Sequence, residues 1–418
     1  MNQENLPLIS ESVKKSVEKS SKSVNFLRRA LLRVLNKAQH GHFLLRENGQ
    51  VIAEVGDRNA SLQAEVDVLN PRSYARALFG GNAAAGEAFV DGWWTSPNIT
   101  NVTRFFSRNL EMMDHWDSRF GWIMKPLRYL RLLGRTNTTL QAKRNILAHY
   151  DLGNELYQAF LDEHLQYSSA IYNRPDDSLS QAQINKLVRL CEKLELSEKD
   201  HLLEIGSGWG GMAIFAAKNY GCRVTTTTIS DEQFNFAHAA IKAEGLETRI
   251  DLLNKDYRLL EGQFDKIVSV EMIEAVGQKF LPGYFQKLNC LLKPNGLLML
   301  QAITIADQRF EAYSRSEDFI QKHIFPGGFL PSMSLMSKLI PSKTDLVVRD
   351  VRDIGLDYAQ TLAHWRKTFL EKQDELQALG YDQKFKNLWL YYLGYCEGGF
   401  LERRISAQQL LASKAPHR

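Results

Sequence analysis

The chain has 418 residues, of which 44% are hydrophobic and 24% are charged, and its formal net charge at pH 7 is +4. This length exceeds the size at which a single hydrophobic core stops growing, so two or three domains are expected. No apolar run approaches the roughly 20 residues of a membrane-spanning helix, which excludes an integral helical membrane protein.

The N-terminus lacks the apolar segment and cleavage site of a secretory signal peptide, so a cytoplasmic location is expected. The cysteines, at positions 191, 222, 290 and 396, are far apart and form no C-x-x-C pair. This spacing argues against a zinc site or a disulfide framework, and no metal ligand is predicted.

Two stretches have the pattern of basic amphipathic helices. Between Lys14 and Lys37 the sequence has many lysines and arginines but a single acidic residue, Glu18, and apolar residues recur near helical spacing. From Lys125 to Arg135 basic and apolar residues repeat in the same way. Such helices bind anionic membrane surfaces or nucleic acid phosphates, although each stretch alone is more simply the solvated face of a packed helix.

The region before residue 110 has strand patterns. "HFLLRENGQVIAEV" places Asn48-Gly49 between two apolar runs, which predicts a hairpin with a tight turn. "SLQAEVDVLN" alternates apolar and polar residues and predicts another strand. We therefore expect a small N-terminal α+β domain over residues 1–118, followed by a basic helical linker at 119–145.

The remainder, residues 146–418, is predicted to be one α/β domain. After residue 198 the segments "LLEIG", "RVTTTTI", "IDLLNKD", "DKIVSVEM" and "GLLMLQAI" read as strands separated by helical patterns. This alternation predicts a doubly wound, mainly parallel sheet. Ligands of such sheets bind outside the carboxyl ends of the strands, where the strand order reverses.

A glycine-rich turn follows the first of these strands. "EIGSGWGG" contains Gly206, Gly208, Gly210 and Gly211, and such a turn lets the backbone approach a ligand near a helix N-terminus. A dinucleotide-binding sheet would have an acid about 20 residues further on, yet the second strand ends in "TTTTIS". Gly210 and Gly211 have an alternative role in packing the helix against the sheet.

"LLEIGSGWGG", "TTISDEQ" and "FDKIVSVEMIEAVG" together resemble the S-adenosylmethionine (SAM)-dependent methyltransferases, which implies a Rossmann-like methyltransferase sheet. More narrowly, the chain resembles the cyclopropane-fatty-acyl-phospholipid synthase family, including the mycolic acid cyclopropane synthases. The resemblance extends over residues 70–405 and includes "GEAFVDGWW", "HYDLGNELYQAFLDEHLQYSSAIY", "HIFPGGFLPS", "LDYAQTLAHW" and "YYLGYCEGGF".

The resemblance implies a set of cofactor contacts. Near the methionine carboxylate it places Tyr167 and Ser168, and in the glycine loop it places Glu204, Gly206 and Gly208. Along the ribose and methionine it places Thr228 and Gln233, and near the adenine Asp256 and Tyr257. Tyr257 is as well explained as an ordinary aromatic residue at a strand end.

The resemblance also implies the reaction, in which the cis double bond of an acyl chain takes a methyl group and a bound bicarbonate ion removes a proton. The positions that match the bicarbonate site are Ser169, Glu274, Gln301, Ile303 and Tyr358. Ser and Gln replace the family's Cys and His, which keeps the hydrogen-bond donors but reduces the capacity to take up a proton. Ring closure to a cyclopropane is expected, and loss of a proton without closure, which gives a methylene branch, is the alternative.

Glu274 is the strongest catalytic candidate, because a carboxylate at the end of the fourth strand would lie in the ligand crevice. Its alternative role is to cap the following helix. Glu271 receives no role. Candidate walls of the acyl pocket are Trp365, Tyr391, Tyr392 and Phe400, although an aromatic stripe is more often part of a core.

Unsaturated phospholipids are the expected substrates, and the enzyme is expected to lie peripherally on the inner face of an anionic membrane and to form a homodimer. A nucleic-acid methyltransferase is disfavoured, because "VEMIEAVG" lacks a proline-aromatic acceptor motif such as N-P-P-Y. A non-enzymatic lipid-binding protein would not need the glycine loop. SAM should raise the melting temperature of the enzyme, since it binds the folded state.

Overall fold

The computed structural model describes residues 11–112 and 152–414, with side chains from residue 23 onward. The chain divides into two compact units, Met1–Pro126 and Leu127–Arg418. The second basic stretch, Lys125 to Arg135, and the linker predicted at 119–145 lie outside the described residues.

The N-terminal unit is α+β. Its elements in chain order are α1 Glu11–Leu35, β1 His42–Glu47, β2 Gln50–Gly56, β3 Gln63–Val68, α2 Arg72–Val90, β4 Trp94–Thr95 and α3 Ile99–Arg108. The strands form a four-stranded sheet in the order β2-β1-β3-β4, in which β1 pairs antiparallel with β2 and parallel with β3.

The predicted hairpin and the strand that follows it are confirmed. Asn48 and Gly49 join β1 to β2 with φ angles of 50° and 79°, and positive φ at both central residues matches the twist of paired strands. In β3, Ala64, Val66 and Val68 are buried and alternate with more exposed residues. The apolar alternation therefore specified which face of this strand packs inward.

The predicted first basic helix is also confirmed as a helix, α1. On one face Leu35 is buried and Arg28 pairs with Glu47 of β1 at 3.1 Å. On the opposite face Phe26 is 67% exposed. Among the described residues, none of the helices combines the length and apolar character needed to cross a membrane.

The C-terminal unit is α/β. Its helices are α4 Asn154–Phe160, α5 Leu179–Lys193, α6 Gly211–Tyr220, α7 Asp231–Ala243, α8 Leu281–Leu291, α9 Asp307–Ser314, α10 Phe319–His323, α11 Met333–Lys343, α12 Gly355–Glu371, α13 Gln373–Ala378 and α14 Gln383–Leu401. Its strands are β5 His201–Ile205, β6 Arg223–Thr228, β7 Ile250–Asn254, β8 Phe264–Val270, β9 Leu292–Ile305, β10 Leu346–Asp353 and β11 Ile405–Lys414.

These strands form a seven-stranded sheet in the order β10-β11-β9-β8-β5-β6-β7. Strands β5 to β9 are parallel to one another, whereas β11 pairs antiparallel with β9 and β10. From β5 the chain builds outward through β6 and β7, then returns to place β8 on the other side of β5. The strand order therefore reverses between β5 and β8, as predicted for a doubly wound sheet.

Helices cover both faces of this sheet. Leu203 and Leu298 pack with α8 and α11 on one face, while Leu202 and Leu297 pack with α5 and α6 on the other. Successive strand residues point to opposite faces, so a central strand buried on both sides reads as a continuous apolar run. This explains the runs "HLLEI" and "GLLMLQAI" in the sequence.

Candidate active site

The glycine turn lies between β5 and α6, at the reversal of strand order. Gly206 and Gly208 have φ angles of 97° and 50°, in the left-handed region that favours glycine. Gly206 N and Ser207 N donate to Thr227 O at 3.0 and 2.9 Å, which ties the turn to β6. A Cβ atom on Gly208 would meet no other described atom within 4 Å apart from its chain neighbours. The turn thus exposes backbone to open space at the edge of the sheet.

Gly211 has a packing role. A Cβ atom there would lie 2.5 Å from His164 O, so the start of α6 approaches the backbone of the segment before Tyr167. Gly211 therefore packs against this segment and not, as the alternative role had it, against the sheet.

Thr228 and Gln233 are held together at the end of β6. The Thr228 hydroxyl donates to Gln233 Oε1 at 3.0 Å and accepts from Ser230 N at 3.1 Å. The Ser230 hydroxyl caps α7 by accepting from Gln233 N at 3.3 Å. This cap fixes both predicted cofactor residues beside the glycine turn.

Asp256 and Tyr257 follow β7. The Asp256 carboxylate accepts from Arg258 Nε at 2.8 Å and from Arg258 Nη2 at 2.7 Å, so an arginine neutralises it. The Tyr257 ring contacts Tyr284 edge to face at 5.4 Å, and burial raises its pKa to about 12. The predicted cofactor residues from Glu204 to Tyr257 thus lie at or just after the carboxyl ends of the adjacent strands β5, β6 and β7.

The segment that carries Tyr167 and Ser168 is anchored by a buried lysine. Lys186 of α5 is fully buried, and its Nζ donates to Ser168 Oγ and to Gln166 Oε1, both at 2.8 Å. Burial lowers the pKa of Lys186 to about 8, opposed by nearby carboxylates. Sequence reasoning missed this residue, although a lysine four residues before Leu190 on an apolar helix face was a usable signal.

Glu204 of β5 lies near enough to Lys186 for the lysine charge to affect its pKa. It is 3% exposed, and Oε2 accepts from the Thr226 hydroxyl at 2.6 Å. Burial raises the pKa of this carboxyl to about 8, while Thr226 and the charge of Lys186 act in the opposite direction.

Glu271 accepts hydrogen bonds from three residues that were matched to the bicarbonate site. Its Oε1 accepts from Ser169 N at 2.9 Å and from Gln301 Nε2 at 2.8 Å, and its Oε2 accepts from Tyr358 Oη at 2.7 Å. Its φ angle is 48°, an uncommon value for a residue with a side chain. Sequence reasoning gave this residue no role, yet it joins Ser169, Gln301 and Tyr358.

The amide of Gln301 is oriented by a chain of hydrogen bonds. Arg189 Nε donates to Gln409 Oε1 at 2.8 Å, and Gln409 Nε2 donates to Gln301 Oε1 at 2.9 Å. An arginine cannot accept a hydrogen bond, so Gln409 must turn its oxygen to Arg189 and its NH₂ to Gln301. This arrangement aims the Gln301 NH₂ at Glu271.

Glu274 lies beyond the strand and not at its end, which corrects the predicted position. Strand β8 ends at Val270, and Glu274 is in the 3₁₀ turn Ile273–Ala275. Its Oε1 accepts from Ile303 N, while Oε2 is buried with no hydrogen-bond partner among the described residues. The bond goes to β9, so the helix-capping role is not supported. Burial, and then the charge of Glu271, raises the pKa of Glu274 to about 8.

Met272 connects this carboxylate pair to the glycine turn. A Cβ atom on Gly206 would lie 3.3 Å from Met272 Cγ, so the turn after β8 packs against the turn after β5. The predicted cofactor residues of the glycine turn and the two carboxylates are therefore neighbours at the reversal of strand order.

Aromatic rings surround the same residues. Tyr358 packs on Phe400 with ring centroids 4.5 Å apart and planes tilted by 32°, and the ring centroids of Tyr167 and Trp365 are 5.3 Å apart. The hydroxyls of Tyr167 and Tyr392 are 2.9 Å apart. Of the predicted pocket walls, Trp365, Tyr392 and Phe400 are thus in this cluster, whereas Tyr391 packs on Phe319 of α10 at 4.5 Å.

Residues 137–410 match the family described as mycolic acid cyclopropane synthetase. The chain belongs to this family. It is 36% identical to the tuberculostearic acid methyltransferase UfaA1 of Mycobacterium tuberculosis over 338 residues. This match covers 78% of this chain and 77% of the relative. It is 37% identical to the cyclopropane-fatty-acyl-phospholipid synthase of Escherichia coli K12 over 360 residues. This match covers 85% of this chain and 89% of the relative. The structure of the mycolic acid cyclopropane synthase CmaA1 complexed with SAH and CTAB is similar, with a TM-score of 0.60 and 26% identity over 65% of this chain and 98% of that chain.

Membership of the mycolic acid cyclopropane synthetase family confirms the predicted fold, the SAM cofactor and the activity class, a SAM-dependent C-methyltransferase of the cyclopropane synthase type. The residues present fit this cofactor, because the open, positive-φ turn at Gly208 offers the space that a Cβ atom would otherwise fill.

The bicarbonate ion implied by the family resemblance fits less well. The donors meant for it, Ser169 N, Gln301 Nε2 and Tyr358 Oη, already donate to Glu271, and Ile303 N donates to Glu274. The Ser169 hydroxyl donates to its neighbouring carbonyl, Ala170 O, at 3.0 Å. The residues of this site therefore do not fit a bicarbonate ion in addition to the Glu271 carboxylate.

Proposed function

We propose that this enzyme adds a methylene group from SAM across the cis double bond of an unsaturated phospholipid acyl chain and so forms a cyclopropane fatty acid. The observation that carries the proposal is the placement of Glu271 and Glu274 on either side of Met272, which packs against Gly206 of the glycine turn. Glu271 also accepts a hydrogen bond from Tyr358, whose ring packs on Phe400. The Escherichia coli relative, a cyclopropane-fatty-acyl-phospholipid synthase, supports the phospholipid as substrate.

The cofactor supplies an electrophilic methyl group. We assign its binding to Tyr167, Ser168, the glycine turn with Glu204, and the residues that follow β6 and β7. An alkene is a weak nucleophile, so the main task of these residues is to hold the reactants in line at close distance, where positioning contributes much of the rate.

Methylation of one alkene carbon leaves positive charge on the other. The faces of Tyr358, Trp365 and Phe400 stabilise such a cation through their negative quadrupoles, and the buried cluster excludes the water that would otherwise capture it. A base must then remove a proton. We assign that chemistry to the carboxylate site formed with Ser169, Gln301, Ile303 and Tyr358.

A second product is favoured by a specific observation. Gln301 cannot take up a proton as an imidazole can, and a base held differently would remove a proton without closing the ring. The product would then be a methylene-branched chain. The relative from Mycobacterium tuberculosis, a tuberculostearic acid methyltransferase, is consistent with this alternative.

The test incubates the full chain with SAM and vesicles of unsaturated phospholipid, followed by measurement of acyl mass before and after mild catalytic hydrogenation. A gain of one CH₂ that resists hydrogenation is expected for the cyclopropane. The same gain followed by uptake of hydrogen would establish the methylene branch. Vesicles of saturated phospholipid are the control, and absence of a mass gain with both lipids would contradict the proposed function.

We further propose that the N-terminal domain, assigned above to residues 1–118, docks on the inner face of an anionic membrane, while residues 146–418 carry out catalysis. Phe26, Arg29 and Arg33 are exposed and lie on one face of α1, opposite the face that packs on the hairpin. An aromatic residue beside arginines suits the interface between headgroups and acyl chains.

Sedimentation of the full chain with phosphatidylglycerol vesicles tests this docking surface. Binding should weaken as salt rises, and Arg29→Glu with Arg33→Glu should weaken it further at every salt concentration. The matched control is Lys242→Glu with Lys338→Glu, which makes the same change in net charge on exposed residues of the other unit. Equal binding by the two double variants would contradict the assignment of this helix face.

A further inference from the structure

We propose that Glu271 is the resident catalytic base of this enzyme, and that its carboxylate stands where a bicarbonate ion would otherwise be bound. This proposal rests on the methyl transfer proposed above and names the group that completes it.

The first support is that the hydrogen-bond donors matched to the bicarbonate site already bond to the Glu271 carboxylate. Ser169 N, Gln301 Nε2 and Tyr358 Oη come from three distant parts of the chain and converge on one carboxylate at 2.9, 2.8 and 2.7 Å. A carboxylate and a bicarbonate ion both present a planar, negatively charged O–C–O group to such donors. Two of these hydrogen bonds go to Oε1 and one goes to Oε2, so Oε2 keeps capacity to accept a proton.

The second support is the backbone of Glu271. Its φ angle of 48° lies in the left-handed region, which a glycine would adopt without strain. The conformation is held by Glu271 N, which donates to Gln301 O at 2.7 Å. A strained residue at a site of converging donors points to a function for its side chain.

The third support is the electrostatics of the site. Burial raises the pKa of Glu271, which makes its carboxylate a stronger base than an exposed one. The hydrogen bonds from Gln301, Ser169 and Tyr358, and then the charge of Lys186, oppose this rise and keep the anion available.

Ring closure needs one proton transfer, from the new methyl group to Glu271. Once the methyl group is bonded to one former alkene carbon, the other carbon carries the positive charge. A lone pair of Glu271 Oε2 takes a proton from the new methyl group, and the C–H electron pair forms the bond to the cationic carbon that closes the ring. Glu271 becomes a neutral carboxylic acid, and it returns the proton to solvent when the product leaves.

The variant Glu271→Gly tests the proposal, since glycine accepts the local φ angle and leaves the three donors free. Binding of ¹³C-labelled bicarbonate, followed by NMR, needs no lipid substrate. We expect no binding to the wild-type enzyme and binding to Glu271→Gly. The matched control is Glu195→Gly, because Glu195 is exposed and also has a positive φ angle, 52°. Glu195→Gly should behave as the wild-type enzyme does.

Activity on unsaturated phospholipid vesicles gives the second readout. In bicarbonate-depleted buffer the wild-type enzyme and Glu195→Gly should turn over, whereas Glu271→Gly should lose about 100-fold or more of the rate, the usual contribution of a general base. Added bicarbonate should restore at least about tenfold to Glu271→Gly. An equal rise in melting temperature with SAM in all three proteins would show that each is folded and binds the cofactor.

The proposal is overturned if the wild-type enzyme binds ¹³C-bicarbonate, if it needs bicarbonate for turnover, or if Glu271→Gly keeps activity within about threefold of wild type. Absence of turnover by the wild-type enzyme on every unsaturated phospholipid would contradict the proposed function instead. The ¹³C-bicarbonate experiment would still decide whether Glu271 fills the anion site.

Discussion

Lys186 balances the charge of the active site. It is fully buried on α5, and the carboxylates of Asp162, Glu271 and Glu204 each raise its pKa against the larger effect of burial. A buried cation among buried carboxylates stabilises them only as long as its hydrogen bonds are satisfied. Lys186 donates two of its three possible hydrogen bonds to Ser168 and Gln166.

Replacement of this lysine should affect both stability and cofactor binding. Lys186→Met leaves the oxygens of Ser168 and Gln166 without their donor, so we expect the free energy of unfolding to fall by about 2–3 kcal/mol. The affinity for SAM should also fall, because Ser168 is assigned to the cofactor. Urea denaturation and calorimetric titration measure the two effects.

The matched control is Lys193→Met on the same helix, which removes a surface pair with Asp350 at 2.7 Å. Such pairs contribute about 1 kcal/mol or less. Equal losses of stability in the two variants would contradict the role assigned to Lys186.

Glu204 makes stability depend on pH. Its pKa rises from 4.5 to about 8 on folding, so between these values the folded state binds more protons than the unfolded chain. The free energy of unfolding therefore falls as pH rises through this window. The side chain of Glu204→Gln stays neutral, so the variant should lack this contribution to the pH dependence of the free energy of unfolding.

Thermal unfolding of the cofactor-free proteins, at constant ionic strength across the same pH range, tests the sign. The melting temperature of Glu204→Gln minus that of wild type should become more positive as pH rises from about 4.5 to about 8. Subtraction cancels the groups that titrate in both proteins. A difference that is constant, or that becomes more negative, would contradict the burial of a proton on Glu204.

At the scale of elements, the pairing of β9 with β11 orients the base site. Gln301 and Gln409 are opposite each other in the register of these antiparallel strands, and Arg189 of α5 fixes the direction of both amides. If Glu271 is the base as proposed, the antiparallel edge of the sheet acts on it through this chain of hydrogen bonds. Gln409 is a positioning residue and not a catalytic one.

Gln409→Leu should free the Gln301 amide to rotate away from Glu271. We expect kcat to fall by about tenfold while KM and the affinity for SAM stay unchanged, because only the orientation of the base is affected. Gln408→Leu is the matched control, since Gln408 is the adjacent residue and bonds to Asp353 instead. An equal fall in kcat for both variants would indicate a general disturbance of β11.

The sequence predicted the elements better than the directions of individual side chains. Apolar runs and glycines are local signals, so the strands of the sheet, the hairpin at Asn48 and the glycine turn were recognised. Which carboxylate faces which donor depends on where β8 ends. Strand β8 stops at Val270 and the chain turns there with a positive φ angle, so Glu271, which was given no role, accepts the hydrogen bond of Tyr358, while Glu274 accepts that of Ile303 N.

In the C-terminal unit, the doubly wound topology brings residues from distant segments of the chain together at one site. Ser169 precedes α5, Glu271 follows β8, Gln301 is on β9 and Tyr358 is on α12, yet one carboxylate joins them. Parallel strands place their carboxyl ends on one edge, so each strand contributes a residue to the same crevice. Contacts of this kind are not visible in a single sequence, because no local pattern records them.

The most direct measurement is the acyl mass of unsaturated phospholipid vesicles after incubation with the wild-type enzyme and SAM in buffer depleted of bicarbonate. Our account predicts a gain of one CH₂ at the same rate with and without added bicarbonate, because Glu271 provides the base. A gain that appears only when bicarbonate is added would contradict the resident base, and no gain under either condition would contradict the methyl transfer to phospholipid acyl chains.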